Sequence, residues 1–183
     1  MQPIIWQAVK WPATEYFTLQ GNGQMKLATG CINGVVEQQP FCIHYDIEIT
    51  ADWRVSSFHI RQEGKTSTEL KLTTDLNGHW FDKDGNHIDA FDGCIDIDIA
   101  LTPFTNTLPV KRLHFEPGER KTIDMLYIKL PEFELQKVQQ HYTKLGDRLY
   151  LYENVTTQFS AELPFDKQDI LLDYPGIFTR IHY

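Results

Sequence analysis

The sequence predicts an all-β protein, and three observations support this fold class. Apolar and polar residues alternate with a period of two in several stretches, as they do on strands whose two faces differ. Asn-Gly and Asp-Gly pairs, which favour tight hairpin turns, separate these stretches at short intervals. A strand–helix–strand rhythm and a glycine-rich strand-to-helix turn are missing, which argues against a nucleotide-binding α/β fold. We therefore expect a single, highly curved, mostly antiparallel sheet that forms an open barrel or a spiral β-roll.

The alternation is clearest in three stretches of the chain. In residues 41–49 the odd positions are apolar and most even positions are polar. Residues 94–101 alternate in the same way, and so do residues 121–130, with a shift near Leu126. The intervening turn pairs are Asn77-Gly78, Asp84-Gly85 and Asp92-Gly93. These stretches are the predicted strands of an antiparallel meander.

Residues 133–145 allow two interpretations. Apolar residues at Leu135, Val138, Tyr142 and Leu145 have the spacing of a helix face. The same stretch also divides into two alternating pieces with a phase slip near Lys137, as a β-bulge would produce. We favour the strand.

Length and charge limit the functions that the chain can have. Its 183 residues suit one domain, predicted over residues 1–183, that needs no disulfide or metal to hold its core. Lys and Arg number 17 against 25 Asp and Glu, a net charge of −8, which argues against nucleic acid or an anionic membrane surface as a partner. No apolar stretch approaches the roughly 20 residues of a membrane-spanning helix. The oligomeric state stays open.

Cysteine and histidine give no metal motif. Cys31, Cys42 and Cys94 lack CxxC spacing, and the 7 His form neither HxH nor HExxH, so we predict no metal and no cofactor. A site assembled only in the folded chain stays open. Residues 82–86 faintly resemble a calcium loop but lack its later ligands, so a hairpin turn explains them better. The N-terminal residues lack the basic and apolar segments of an export signal, so we expect a cytoplasmic protein with reduced thiols.

Asp96 and Asp98 are the sharpest candidate for chemistry in the sequence. They stand two residues apart in a predicted strand, so both side chains face one side, about 7 Å apart. The pair could be an exposed polar face, or buried carboxylates paired with an arginine such as Arg112, Arg148 or Arg180. It could also receive sugar hydroxyls in a cavity. A third role is the acid and base of a glycosidase, whose carboxyl groups lie about 5–9.5 Å apart.

The following segment, residues 102–109, is a predicted loop bounded by prolines. Pro103 and Pro109 fix φ, and the small polar side chains between them include Thr105 and Asn106. These side chains can bond the loop's own backbone and make a rigid turn, which is the favoured role. They could instead present donors and acceptors to a polar head group.

Aromatic residues are abundant, with 4 Trp, 8 Tyr and 11 Phe. Those in predicted strands include Trp53, Trp80, Tyr127, Tyr150, Tyr152 and Phe159. Such side chains either pack a β-core or line a cavity, where aromatic faces suit sugars and acyl chains.

The stretch from Gly93 to Pro109, followed by Arg112, resembles the signature of a bacterial family labelled "putative glycolipid-binding". The run Asp173-Tyr174-Pro175-Gly176 and the upstream run Asp52-Trp53-Arg54 resemble it as well, so the resemblance spans nearly the whole chain. The sequence departs from the family pattern at Asp169, where a turn glycine is expected, so we expect that turn to differ.

The resemblance implies a fold similar to the lipoprotein-carrier proteins of the bacterial envelope, with a curved antiparallel sheet around an apolar interior. It assigns no catalytic residue. The polar family positions predict one ligand-binding cluster at the mouth of a β cavity. The members of this cluster are Asp96, Asp98, Thr105, Asn106, Arg112, Asp173, Tyr174, Trp53 and Arg54.

We therefore expect a non-enzymatic protein that holds a glycolipid or another amphiphile, with the acyl part enclosed by the sheet and the head group on the polar cluster. Two alternatives stay open. One is a hydrolase of a sugar or a lipid ester that uses Asp96 and Asp98. The other is a structural or partner-binding β domain with no pocket.

Overall fold

The computed structural model describes residues 2–21, 23–64 and 67–181. These residues form strands, two 3-10 turns (Asp89–Phe91 and Phe104–Asn106) and the short helix α1 (Thr107–Arg112). The strands are β1 (Ile4–Ala8), β2 (Ala13–Gly21), β3 (Met25–Val36), β4 (Gln39–Thr50), β5 (Val55–Glu63), β6 (Thr68–Thr74), β7 (Trp80–Phe81), β8 (Asp96–Ile99), β9 (Arg120–Lys129), β10 (Glu134–Gly146), β11 (Leu149–Asn154), β12 (Ser160–Pro164) and β13 (Phe178–Ile181). The protein is mostly β, as predicted.

The strands divide between two sheets. The first sheet has eight strands in the order β13-β1-β2-β3-β4-β5-β6-β7, all antiparallel. The second has five in the order β12-β11-β10-β9-β8, antiparallel except for the parallel pair β8–β9. The expectation of one continuous sheet is therefore wrong. Both strand orders are linear over the described residues and close no barrel, so the open barrel or roll stays a prediction.

The first core lies on the inner face of the eight-stranded sheet. Alternation in residues 41–49 is confirmed, since β4 buries its odd positions Phe41, Ile43, Tyr45, Ile47 and Ile49. Other strands of the sheet add large buried rings, namely Trp6, Phe17, Phe58 and Trp80. Burial of this much apolar surface is the main stabilising contribution to the sheet.

The five-stranded sheet carries apolar side chains on both faces. Ile97 and Ile99 of β8 join the first core, together with Leu126 and Ile128 of β9. The other face forms a second core with residues of β9 to β12 and of the C-terminal segment (residues 165–181), including Ile123, Met125, Tyr142, Tyr152, Leu163 and Leu171. The shift in alternation near Leu126 therefore marks the change from the second core to the first.

The favoured strand is confirmed for residues 134–145, which lie in β10, whereas Phe133 belongs to the preceding turn, and the helical interpretation is wrong. The predicted bulge near Lys137 is also wrong, because the register between β10 and β9 runs unbroken from Glu134 to Thr143. The change of phase has another cause: Leu135 packs against the first core, whereas Val138 packs against the second. The register shift lies farther along, at Lys144 and Gly146 opposite β11.

The crossover between the parallel strands β8 and β9 contains the predicted proline-bounded loop. Thr102 Oγ1 accepts a hydrogen bond from the N–H of Phe104 at 3.1 Å, within the loop as favoured. The hydroxyls of Thr105 and Thr107 instead accept from backbone N–H groups outside the loop, those of Ile99 and Leu171, both at 3.2 Å. The segment is more helical than a loop, because α1 begins at Thr107. Across the described part of the chain, no helix has the length and apolar character needed to span a membrane.

Two predicted turns are found in the structure. Asp82 accepts hydrogen bonds from the backbone N–H groups of Asp84 and Asn86 at 2.9 Å, which makes residues 82–86 a turn. Asp169 adopts a left-handed φ of 56°, the conformation that glycine would adopt with less strain.

A buried carboxyl group joins the first sheet to the crossover. Glu15 is 1% exposed, and its Oε1 accepts hydrogen bonds from Tyr45 Oη at 2.5 Å and Thr102 Oγ1 at 2.8 Å. Its Oε2 is buried with no hydrogen-bond partner among the described residues. Gly30 makes room for the Tyr45 ring, because a Cβ there would lie 2.1 Å from it. Burial raises the pKa of Glu15 to about 8, although both hydrogen bonds lower it, so this group is mostly protonated at neutral pH.

Glu15 should make the protein less stable as the pH rises. The folded protein retains the Glu15 proton up to about pH 8, whereas the unfolded chain releases it near the ordinary value of 4.5. The free energy of unfolding should therefore fall between about pH 4.5 and pH 8, by on the order of a few kcal/mol. The Glu15→Gln variant should lack this part of the slope in urea denaturation measured across that range. The exposed Glu162→Gln variant is the control, and equal slopes in all three proteins would contradict the assignment.

Candidate functional site

A cavity of about 290 Å³ opens between the five-stranded sheet and the C-terminal segment. We call it the Asp98 cavity. Strand β8 and the crossover provide Asp98, Ile99, Ala100, Thr102 and Asn106; β9 to β11 provide Tyr127, Gln136, Val138, Tyr152 and Asn154; the turn after β11 and the C-terminal segment provide Thr156, Thr157, Phe159, Tyr174, Ile177 and Phe178. Of the predicted site residues, Asp98, Asn106 and Tyr174 therefore line it. A β domain without a pocket does not match this geometry.

Asp98 is the one carboxyl group among the described residues that line the cavity. It accepts hydrogen bonds from Gln140 Nε2 at 2.6 Å and from Thr105 Oγ1 at 3.2 Å. Burial raises the pKa of Asp98, while these two hydrogen bonds act in the opposite direction. Thr105, a predicted site residue, thus supports Asp98 from behind the cavity wall.

A buried polar network extends from Asp98 toward the second core. Gln140 is fully buried, and Tyr142 Oη donates a hydrogen bond to Asn106 Oδ1 at 2.9 Å and a longer one to Gln140 Oε1 at 3.4 Å. Sequence reasoning missed Gln140. The sequence feature that could have identified it is a polar residue two positions before Tyr142, on the same inward-facing side of the strand. A polar side chain in such a position indicates a buried hydrogen-bonding partner.

Aromatic rings form the opposite wall. The centroids of Tyr152 and Tyr174 lie 5.9 Å apart, and Phe159 lies 6.3 Å from Tyr152 and 6.0 Å from Tyr174. Burial raises the pKa of Tyr127, Tyr152 and Tyr174 above the ordinary value, so their phenols are hydrogen-bond donors at neutral pH. No Lys, Arg or His is among the described residues that line the cavity. The wall is therefore aromatic, rich in hydroxyls and without a basic group.

Asp96 and Arg112 form a separate buried ion pair. Asp96 is 0% exposed and does not line the Asp98 cavity. Arg112 Nη2 donates to Asp96 Oδ2 at 2.6 Å, and Arg112 Nε donates to Oδ1 at 3.0 Å. Burial raises the pKa of Asp96, whereas the Arg112 guanidinium lowers it. This is the arginine-paired arrangement that the sequence left open, and it gives the two aspartates no common cleft in which to act as acid and base.

Three other predicted residues lie away from the cavity lining. Trp53 has a φ of 66° in the turn after β4, with Lys26 Nζ and Lys111 Nζ at 4.9 and 5.1 Å from its ring centroid. Arg54 Nη1 donates to the Leu76 carbonyl at 2.8 Å. Asp173 accepts from Thr179 Oγ1 and the Arg180 N–H, which fixes the turn before β13. The predicted single cluster is thus divided, and a ligand-binding role of these residues stays a prediction.

Removal of the Arg112 charge should destabilise the protein strongly. The Arg112→Met variant leaves Asp96 buried without a charged partner, a change that typically costs about 3–5 kcal/mol. The Asp96→Asn/Arg112→Met double variant should recover much of this loss, because no buried charge remains. Urea denaturation measures both. The Arg148→Met control removes a pair whose Asp147 side chain is 86% exposed and should cost less than about 1 kcal/mol. Equal losses in the free energy of unfolding for Arg112→Met and Arg148→Met would show that the Asp96–Arg112 pair does not stabilise the protein as expected.

Comparison with known proteins places the chain in a family. No curated protein matches it. A solved structure similar to it is a DUF1089 family protein from Pseudomonas aeruginosa, 37% identical, covering 91% of this chain and 92% of that one with a TM-score of 0.84. The family model described as "Putative glycolipid-binding" matches residues 3–180. This match covers nearly the whole chain, so the resemblance seen in its motifs is confirmed and the protein belongs to the "Putative glycolipid-binding" family.

Proposed function

We propose that the protein binds an uncharged amphiphile, a glycolipid in the first place, and that the Asp98 cavity holds the sugar head group or the part of the chain next to it. The observation that carries the proposal is the composition of the cavity wall. It combines a desolvated carboxyl group, phenolic hydroxyls and aromatic rings, and the residues described in the lining include no basic side chain. The family description points to the same class of ligand.

The charge distribution favours a neutral head group. A phosphate or sulfate would meet the Asp98 carboxyl group and no Lys or Arg among the described residues of the lining. A sugar hydroxyl, in contrast, exchanges hydrogen bonds with a carboxyl group in either protonation state. Tyr127, Tyr152 and Tyr174 add donors, and their ring faces suit the apolar faces of a sugar.

The size of the cavity sets how much of the ligand it holds. A volume of about 290 Å³ lies at the lower end of small-molecule sites, which run from about 300 to 1,000 Å³. It therefore suits one part of a glycolipid, with the rest outside. In this proposal the five-stranded sheet and the C-terminal segment act as an open roll around the bound part. The cytoplasm is the proposed compartment, which cell fractionation tests.

A binding protein fits this geometry better than a hydrolase. Acid–base cleavage of a glycosidic bond uses two carboxyl groups on either side of the bond. Asp98 borders the cavity, but both Asp96 oxygens are bonded to Arg112 behind it. Asp98 in the proposed role acts by hydrogen bonding alone.

Native mass spectrometry of the freshly purified protein, followed by solvent extraction, is the first test of this function. An added mass that extracts as a neutral glycolipid is the expected result.

Calorimetric titrations below the micelle concentration then compare octyl glucoside, octyl sulfate and octyltrimethylammonium, which share one chain length. We expect the glucoside to bind more tightly than either charged compound. Tighter binding of a charged probe, or no binding of any of the three together with a ligand-free mass, would overturn the proposal.

Variants of the cavity wall should show whether the ligand occupies the cavity and whether Asp98 hydrogen-bonds to it. Val138→Trp fills the cavity and should reduce glucoside affinity more than tenfold, because the partly buried Val138 lines its wall. Leu145→Trp places the same side chain at a position that is 47% exposed on the same strand and should leave the affinity unchanged. Asp98→Asn should weaken glucoside binding about fivefold, the equivalent of one hydrogen bond of about 1 kcal/mol. Equal affinity in Val138→Trp and the unaltered protein would place the ligand elsewhere.

A further inference from the structure

Four polar side chains lie together on the outer face of the first sheet. Cys31 and Asn33 belong to β3, and Cys42 and His44 belong to β4. Cys31 is the register partner of His44, and Asn33 is the partner of Cys42. Because side chains alternate along a strand, all four point away from the core that Ile32, Ile43 and Tyr45 enter. Both cysteines are free and half-buried.

The potential ligand atoms of three of these residues already converge. One donor atom each from Cys31, Cys42 and His44 lies within 4.8 Å of the other two. Cys42 Sγ is 3.5 Å from His44 Nε2. A tetrahedral zinc ion with Zn–S and Zn–N bonds of about 2.3 and 2.0–2.1 Å holds its sulfur and nitrogen ligands about 3.5 Å apart. The observed separation is thus the one that a shared zinc ion requires.

Glu63 of the next strand offers a fourth donor. It is the register partner of Cys42 on β5, and its Oε1 lies 3.0 Å from His44 Nε2. Asn33 Nδ2 lies 3.3 Å from Cys31 Sγ, so it donates a hydrogen bond to a sulfur, as outer residues around metal-bound thiolates do.

We propose that Cys31, Cys42 and His44 form a zinc site, with Glu63 or a water molecule as the fourth ligand. Two thiolates and an imidazole match the ligand preference of Zn²⁺ and its tetrahedral geometry. Each thiol releases its proton to solvent when the metal binds, and His44 binds as the neutral imidazole. The site lies on the opposite face of β4 from the first core and does not depend on the proposed amphiphile binding.

Sequence spacing could not reveal this site. Cys31 and Cys42 are separated by a hairpin, so they meet only when β3 and β4 pair. Zinc motifs recognised from sequence contain two ligands a few residues apart at a turn or on a helix. The prediction of no metal rested on the lack of such spacing, and the proposal departs from it on the geometry of the folded chain.

The test uses the full-length protein, freed of metal with a chelator and kept reduced. Titration with Co²⁺ should give the sulfur-to-cobalt charge-transfer absorption and the visible bands of a tetrahedral centre at one equivalent, and Zn²⁺ should abolish both. Competition with a chromophoric chelator then gives the Zn²⁺ affinity. Cys31→Ser, Cys42→Ser and His44→Ala should each weaken it more than about 100-fold, and Asn33→Ala about tenfold.

A neighbouring histidine provides the matched control. His59 Nε2 lies 3.1 Å from Glu69 Oε2, which repeats the His44–Glu63 pair one strand farther along the sheet without a thiol. His59→Ala should leave Zn²⁺ affinity unchanged, and so should Glu162→Gln. Far-ultraviolet circular dichroism and thermal melting confirm that each variant is folded. The proposal is overturned if Co²⁺ gives no charge-transfer band, if Cys31→Ser and Cys42→Ser bind Zn²⁺ as the unaltered protein does, or if the two thiols form a disulfide that the reductant does not open.

Discussion

Strand β8 is covered on both faces, with only Asp98 half-buried at the cavity, and much of the structure follows from that constraint. Ile97 and Ile99 pack into the first core, so the alternating residues Asp96 and Asp98 point from the opposite face of the strand toward the side of the second core. Buried carboxyl groups need partners within the protein, because an isolated charge in an apolar interior is very costly. Helix α1 therefore has to end near β8 and place Arg112 beside Asp96. Strand β10 likewise has to carry a glutamine where the alternation would allow an apolar residue.

The two aspartates have different partners because different parts of the crossover and of strand β10 cover them. At Asp96 the crossover helix brings a guanidinium that binds both carboxylate oxygens. At Asp98 the helix has not yet begun, and the partners are an amide and a hydroxyl. These satisfy hydrogen-bonding capacity without neutralising charge, which leaves Asp98 the better suited of the two to interact with a ligand. Asp96 thus has a structural role and Asp98 a candidate binding role, although they are two residues apart on one short strand.

The sequence was informative wherever one face of a strand is buried and the other exposed. There the alternation is clean, and β4 could be predicted closely from residues 41–49. It was less informative in the five-stranded sheet, since this sheet contributes apolar side chains to both cores and the apolar phase changes as a strand passes from one core to the other. That change in β10 resembles a bulge, although the pairing is regular. Helix α1 was missed because its residues also have turn-like side chains, and which polar residues share a cavity depends on pairings distant in sequence.

Strand β4 connects the different parts of the molecule through consecutive residues. His44 points outward to the two thiols, while Tyr45 points inward to Glu15 and Thr102, and Thr102 lines the Asp98 cavity. A change on one face of an extended strand has little effect on the other face, because side chains on opposite faces make no contact and the backbone is held by both neighbouring strands. A cation at the thiols would therefore stabilise the pairing of β3, β4 and β5 by binding only the folded state, without reshaping the cavity. The outer face and the cavity can accordingly carry unrelated chemistry in one small protein.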